Sequence, residues 1–109
     1  MATCTKREPV EKGSDFRLRV HITNLGDGIH VTDQNVDLTC TIKVKDTEIA
    51  YTKDQLTPLD QDNYIIPVAT GTLARGDVFL KTETSVPDIA FPDGTRDEVR
   101  TTDTGVTII

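Results

Sequence analysis

The stretch Asp15-Phe-Arg-Leu-Arg-Val-His-Ile-Thr23 alternates apolar and polar side chains without interruption. Its apolar members are two residues apart, which is the spacing that places side chains on one face of a β-strand. The polar members then lie on the opposite face. The stretch therefore predicts a strand with one buried and one solvent-exposed face, and similar runs recur along the chain.

A second alternation, over residues 36–45, is longer and predicts a central strand with Cys40 directed into the core as a small hydrophobic side chain. The polar stretch 53–58 predicts no more than one helical turn. The other predicted strands are short and separated by turns rich in Gly, Pro, Asn and Asp: 29–32, forming a hairpin with the first strand, then 48–52, 64–69, 77–84, 95–101 and 106–109.

Seven or eight short strands at regular turn spacing predict an all-β fold, an immunoglobulin-like antiparallel β-sandwich. Residues 1–14 are predicted to be an extended N-terminal lead-in, and residues 15–109 a single sandwich domain. A chain of 109 residues is long enough for one such core. Residues 86–95 contain two prolines and a glycine, and we expect an ordered loop that crosses an end of the sandwich or contacts a neighbour.

The composition narrows the classes of partner. The formal net charge of -6 disfavours nucleic acid or an anionic membrane as the main partner. No apolar run is long enough to span a membrane, and the N-terminus lacks the apolar segment of a secretory signal. The chain is therefore expected to stay in the cytosol unless an assembly carries it out.

The residues with metal-binding or redox chemistry are few. His21 and His30 lie on neighbouring predicted strands but lack the further ligands that a tetrahedral metal site needs, so no metal is predicted. Cys4 and Cys40 are interpreted as free thiols, because a disulfide between them would demand a particular geometry of the two backbones.

An acidic turn resembles the start of a calcium-binding loop at Asp60, Asp62 and Asn63. The positions that such a loop reserves for Gly and Glu hold Ile65 and Gly71 instead. We therefore interpret these residues as a turn that hydrogen-bonds to its own backbone.

The last quarter of the chain concentrates carboxylates that could suggest acid and base catalysis. A solvated loop with salt bridges to Arg96 and Arg100 explains them better, because the chain lacks the aromatic lining of a glycosidase cleft. No catalytic residue and no cofactor is predicted. The carboxylates concerned are Asp88, Asp93, Asp97, Glu98 and Asp103.

Several segments resemble small virion proteins of phages and prophages from gut anaerobes, and the N-terminal β-sandwich of phage baseplate and tail-fibre proteins. The resemblance rests on residues 10–20, 37–39, 63–66, 87–99 and 104–108. It implies a non-enzymatic structural or assembly protein of a phage-like tail, baseplate or fibre, found in the virion and, during assembly, in the host cytoplasm. Baseplate proteins continue into further domains, so the chain is expected to be a small subunit or a piece of a longer protein.

The resemblance implies docking to further copies of the chain or to a larger phage protein, and we expect a homo-oligomer. The predicted partner contacts are Arg17, Arg19, Ile89, Phe91 and Arg96. An alternative function is a carbohydrate- or cell-surface-binding module, in which Tyr51, Tyr64 and Phe91 would supply the aromatic faces.

Overall fold

The computed structural model describes residues 8–109, which form β-strands, connecting loops and two one-turn 3₁₀ helices. The 3₁₀ helices are Lys53–Gln55, within the stretch where the sequence allows one helical turn, and Thr70–Thr72. The strands of this part of the chain are β1 Glu8–Val10, β2 Asp15–His21, β3 Asp37–Val44, β4 Thr47–Thr52, β5 Thr57–Pro58, β6 Asn63–Ala69, β7 Gly76–Pro87 and β8 Thr95–Ile108.

The strands form two sheets that pack face to face. One sheet has the order β1-β8-β7-β3-β4 and the other the order β2-β6-β5. The neighbouring strands run antiparallel except β1 and β8, which are parallel. The predicted all-β, immunoglobulin-like sandwich is confirmed, and β1 lies inside the segment predicted as an extended lead-in.

The core is built from the inward faces predicted by the alternating runs. On β3 the inward side chains are all buried, whereas Asp37 and Lys43 are exposed. On β2 the apolar side chains are buried or half-buried, and Arg17 and Arg19 are exposed. The buried apolar side chains of β3, β6 and β7 are Leu38, Cys40, Ile42, Val44, Tyr64, Ile66, Val68, Val78, Leu80 and Val86.

The predicted hairpin between the first strand and residues 29–32 is wrong. β2 pairs instead with β6, from Asp15 opposite Ala69 to His21 opposite Asn63. Residues 22–36 form a long loop, and Val31 is fully buried within it. A short apolar alternation is ambiguous, because a loop that buries alternate side chains gives the same pattern as a strand.

The two strands predicted at the C-terminus are one strand, β8. Asp77 and Phe79 are two residues apart on β7. The residues opposite them on β8, Thr107 and Asp103, are four residues apart. The extra residues form a β-bulge, and Gly105 lies there with a φ of 77°. The glycine that suggested a strand break therefore accommodates a bulge within a continuous strand.

Pro67 lies in β6, the middle strand of its sheet. β5 pairs only with Tyr64 and Ile65, so the side of β6 that faces β5 has no strand partner at Pro67. This position suits proline, which has no N–H to donate to a neighbouring strand.

Cys40 is a free, fully buried thiol on β3. Burial raises the pKa of this thiol from 9.0 to about 12, because the thiolate is poorly solvated in the core. Cys4 lies outside the described residues, so whether the two cysteines pair stays a prediction.

The raised pKa of Cys40 predicts a loss of stability at alkaline pH. Above about pH 9 the unfolded chain releases the thiol proton while the folded chain retains it, so the free energy of unfolding falls by up to about 1.4 kcal/mol per pH unit. Urea unfolding across this range checks the effect. Cys40→Ala, compared in the same Cys4→Ser background, is expected to show a flatter pH dependence, and equal slopes for both proteins would contradict the prediction.

Candidate functional site

Three connections between strands lie at the same end of the sandwich. They are the β2–β3 loop (residues 22–36), the β5–β6 turn (59–62) and the β7–β8 loop (88–94). The strand register places them together, because His21 is opposite Asn63 and the first residue of β3 is opposite Ser85 near the end of β7. We call this surface the loop end.

Buried side chains and one lysine anchor the β2–β3 loop. Leu25, Val31 and Val36 are buried in the core. The Lys53 Nζ donates hydrogen bonds to the carbonyl oxygens of Asp33 at 2.6 Å and Val36 at 2.5 Å. Desolvation lowers the pKa of Lys53 below its ordinary value. The loop is long, but it is held by both apolar and polar contacts.

The Asp60 carboxylate stabilises the β5–β6 turn. Asp60 accepts hydrogen bonds from the Asp62 N–H at 2.9 Å and from the Asn63 Nδ2 at 2.7 Å, and these bonds lower the pKa of Asp60. The Asn63 side chain is buried, and its Oδ1 accepts from the Arg19 Nε at 3.2 Å and lies 2.9 Å from the His21 Nδ1. The interpretation of this segment as a turn that hydrogen-bonds to its own backbone is confirmed.

Polar contacts also join the β2–β3 loop to the β5–β6 turn. The His30 Nδ1 lies 3.1 Å from the Asp62 Oδ1, and the Thr32 hydroxyl donates to the Gln61 carbonyl at 3.3 Å. His21 and His30 thus have different partners. Within residues 8–109, no three His, Cys, Asp or Glu side chains form a group that would hold a metal ion.

The β7–β8 loop is compact and ordered. Its backbone closes through hydrogen bonds from Asp88 N–H to the Gly94 carbonyl, and from Gly94 N–H to the Phe91 carbonyl, both at 2.9 Å. The Asp88 carboxylate also accepts from the Ala90 N–H at 3.0 Å. The loop predicted from its prolines and glycine is confirmed and lies at an end of the sandwich, while its contact with a neighbour stays a prediction.

Arg96 connects the β7–β8 loop with the β2–β3 loop. Its Nη2 donates to the Leu25 carbonyl, and its Nη1 lies 3.7 Å from the Asp88 Oδ2. Gly26 follows Leu25 with a φ of 134°, and a Cβ there would lie 2.9 Å from the Ile29 Cδ1. A side chain at position 26 would displace the Ile29 Cδ1 and strain the backbone at this φ, so the position favours glycine, and Arg96 holds the adjacent Leu25 carbonyl.

The salt bridges predicted for the last quarter are confirmed. Arg96 pairs with Asp88, and the Arg100 Nη2 lies 3.0 Å from the Glu98 Oε2. Asp93 accepts a hydrogen bond from the Thr95 N–H at 3.3 Å. These carboxylates form ion pairs or hydrogen bonds with residues of the β7–β8 loop and of β8.

Apolar side chains project from the loop end into solvent. Ile89 is 101% exposed and Phe91 43% exposed on the β7–β8 loop, and Leu59 is 55% exposed on the β5–β6 turn. Single exposed apolar residues are common on protein surfaces, and here three lie at one end of the sandwich, on loops held by hydrogen bonds.

The predicted partner contacts fall into two groups. Ile89, Phe91 and Arg96 come together at the loop end. Arg17 and Arg19 lie on the exposed face of β2, where Arg17 lines an open depression of about 650 Å³ and Arg19 bonds to Asn63. Their roles as partner contacts stay predictions. The sequence did not lead to Leu59 as a candidate contact. An apolar residue beside an otherwise polar turn was the feature that could have indicated it.

No helix in the described part of the chain is both long and apolar enough to cross a membrane.

Comparisons with known proteins give one distant likeness. No protein-family model and no curated protein matches the chain. Among solved structures it is similar to a crystal structure at 1.80 Å of a "putative glycoside hydrolase" from Bacteroides vulgatus ATCC 8482. The alignment covers 94% of this chain with 16% identity and a TM-score of 0.42. The chain spans 16% of the length of that protein.

Replacing Arg96 is expected to loosen the loop end. Arg96→Met keeps the apolar stem but removes the donors to the Leu25 carbonyl and the partner of Asp88, which should cost about 1–3 kcal/mol of stability. Urea unfolding measures the change. Arg75→Met, at an exposed position, is the control and should be nearly neutral. Equal losses of stability in the two variants would contradict the conclusion that Arg96 stabilises the loop end.

Proposed function

We propose that this chain is a non-catalytic structural or assembly module that docks to another protein through the loop end. The observation that carries the proposal is the exposure of Ile89, Phe91 and Leu59 on loops whose backbones are held in place. Burying such side chains against a partner is favourable, and anchors on an already ordered backbone lose little conformational entropy on binding.

The polar surroundings of these side chains fit a protein interface. The apolar side chains are flanked by acidic residues, among them Asp88 and Asp93 on the same loop and Asp60 on the neighbouring turn. An apolar centre with a charged rim is the usual anatomy of a protein-binding patch. The rim also predicts a partner surface that carries basic residues.

The kind of assembly in the proposal comes from the sequence resemblance, which points to a phage-like tail, baseplate or fibre. In such a particle the module would sit between a larger structural protein and its neighbours. The proposed partner is therefore a tail, baseplate or fibre protein.

The alternative, a carbohydrate-binding module, has less support from the placement of the aromatic residues. Tyr64 is buried, Tyr51 is half-buried, and Phe91 is the exposed member of the three. Sugar rings are usually bound on exposed aromatic faces beside polar groups that fix their orientation. A single exposed phenyl ring favours protein docking over this alternative.

The test is a double variant, Ile89→Ser with Phe91→Ser. Since each lost anchor costs about 1–2 kcal/mol, binding to the proposed tail, baseplate or fibre partner should weaken by about thirtyfold to a thousandfold. Co-sedimentation with purified particles and calorimetry with the isolated partner measure the effect. Ile109→Ser removes an exposed apolar side chain near the opposite end and should leave binding unchanged.

Two results would overturn the proposal. One is wild-type protein that binds no particle component and appears in no particle by mass spectrometry. The other is binding that both variants retain equally. Hits on a glycan array that disappear in Phe91→Ser would favour the carbohydrate-binding alternative instead.

A further inference from the structure

In the described part of the chain, the outer edge of β8 is open over residues 96–102. One edge of β8 pairs with β7 along most of its length, while β1 pairs with the other edge at residues 106–108. Within the part of the chain that the structure describes, no strand lies beside residues 96–102 on that outer side. A strand edge of this kind presents backbone N–H and C=O groups that can pair with another strand.

The hydrogen-bonding phase of β8 shows which residues direct their backbone to the open edge. The Asp88 N–H donates to the Gly94 carbonyl, and Pro87, which has no N–H, is opposite Thr95. Since hydrogen-bonded and non-hydrogen-bonded pairs alternate, even-numbered residues of β8 bond to β7 and odd-numbered ones face outward. The outward groups therefore belong to Asp97, Val99 and Thr101.

The side chains along this edge are self-complementary. When two copies of β8 run antiparallel with Val99 opposite Val99, Glu98 of each copy is opposite Arg100 of the other. In the same register Asp97 is opposite Thr101, and no like charges meet between residues 96 and 102. Val99 is 60% exposed in the single chain, so this pairing also covers an apolar side chain.

Neighbouring registers are disfavoured by charge. An antiparallel pair centred on Asp97, Glu98 or Arg100 places that residue opposite its own copy. Like charges directly opposite one another destabilise a strand pair, whereas opposite charges stabilise it. The charges therefore favour the register centred on Val99 over these three registers, while the backbone bonds supply the attraction.

We propose that two copies of this chain associate through β8, antiparallel about a twofold axis at Val99, so that their two five-stranded sheets become one continuous sheet. Residues 97–101 would form about six backbone hydrogen bonds between the copies. The Arg100 Nη2 already lies 3.0 Å from Glu98 of its own chain. A guanidinium has five N–H donors, so Arg100 bridges both carboxylates in the dimer. The dimer uses a strand edge rather than the loop end, so it stands independently of the proposed function.

Disulfide trapping tests the register. In the Cys4→Ser background, Val99→Cys places two thiols in a hydrogen-bonded antiparallel pair, where the Cα atoms are about 5.5 Å apart and a disulfide fits. Thr101→Cys has the same exposed-face position, but its thiols would lie about 14 Å apart. Mild oxidation is expected to cross-link Val99→Cys and not Thr101→Cys. Equal cross-linking of both variants, or of neither, would overturn the register.

Reversing the charges at positions 98 and 100 tests the proposed dimer independently of disulfide trapping. Glu98→Arg and Arg100→Glu each place like charges together, and each should weaken dimerisation by at least about tenfold. Mixing the two variants restores both opposite-charge pairs and should restore a heterodimer. Light scattering follows the mass from 12.0 kDa towards twice that value.

A matched control uses the other edge of the same sheet. Glu48→Arg makes the same substitution on exposed β4 and should leave the dimer intact. Thermal unfolding checks that Arg100→Glu folds, since Arg100 also donates to the Thr23 carbonyl at 3.2 Å. Wild-type protein that remains at 12.0 kDa up to about millimolar concentration, or a dimer that Glu48→Arg abolishes, would overturn the proposal.

Discussion

Burial of the inward face of β3 is the constraint on which the rest of the structure depends. Leu38, Cys40, Ile42 and Val44 are buried between two sheets, and β3 pairs with β7 on one side and β4 on the other. A slip of one residue would turn all four side chains to solvent, so the registers on both sides are strongly specified. The β3–β7 register places the end of β7 beside the start of β3, and in the other sheet the β2–β6 register places the end of β2 beside the β5–β6 turn.

Polar side chains position the loops where strand pairing stops. Lys53 and Arg96 donate to carbonyl groups of the β2–β3 loop, and Asn63 joins β2 to the β5–β6 turn. Buried backbone groups without a strand partner must be satisfied in some other way, and these side chains do so. Because the loops are held, Ile89 and Phe91 remain exposed on a defined surface.

The two proposed surfaces, the loop end and the edge of β8, would bind their partners through different interactions. The loop end offers apolar side chains to a different protein, whereas the edge of β8 offers backbone groups and matched charges to a second copy. A net charge of -6 on each chain opposes indiscriminate association, so pairing requires local complementarity. A dimer would also carry two loop ends, which raises avidity for a particle with repeated binding sites.

Local patterns in the sequence determined the fold class, the strands β2, β3, β4 and β6, and the burial of Cys40, because a period of two reports directly which side chains face the core. The proline and glycine content also marked the loop that carries Ile89 and Phe91. Only the tertiary structure decided that residues 29–32 belong to a loop, that β8 continues through Gly105, and that Leu59 joins the loop end. Each of these depends on which distant strands become neighbours, and periodicity along the chain carries no information about that choice.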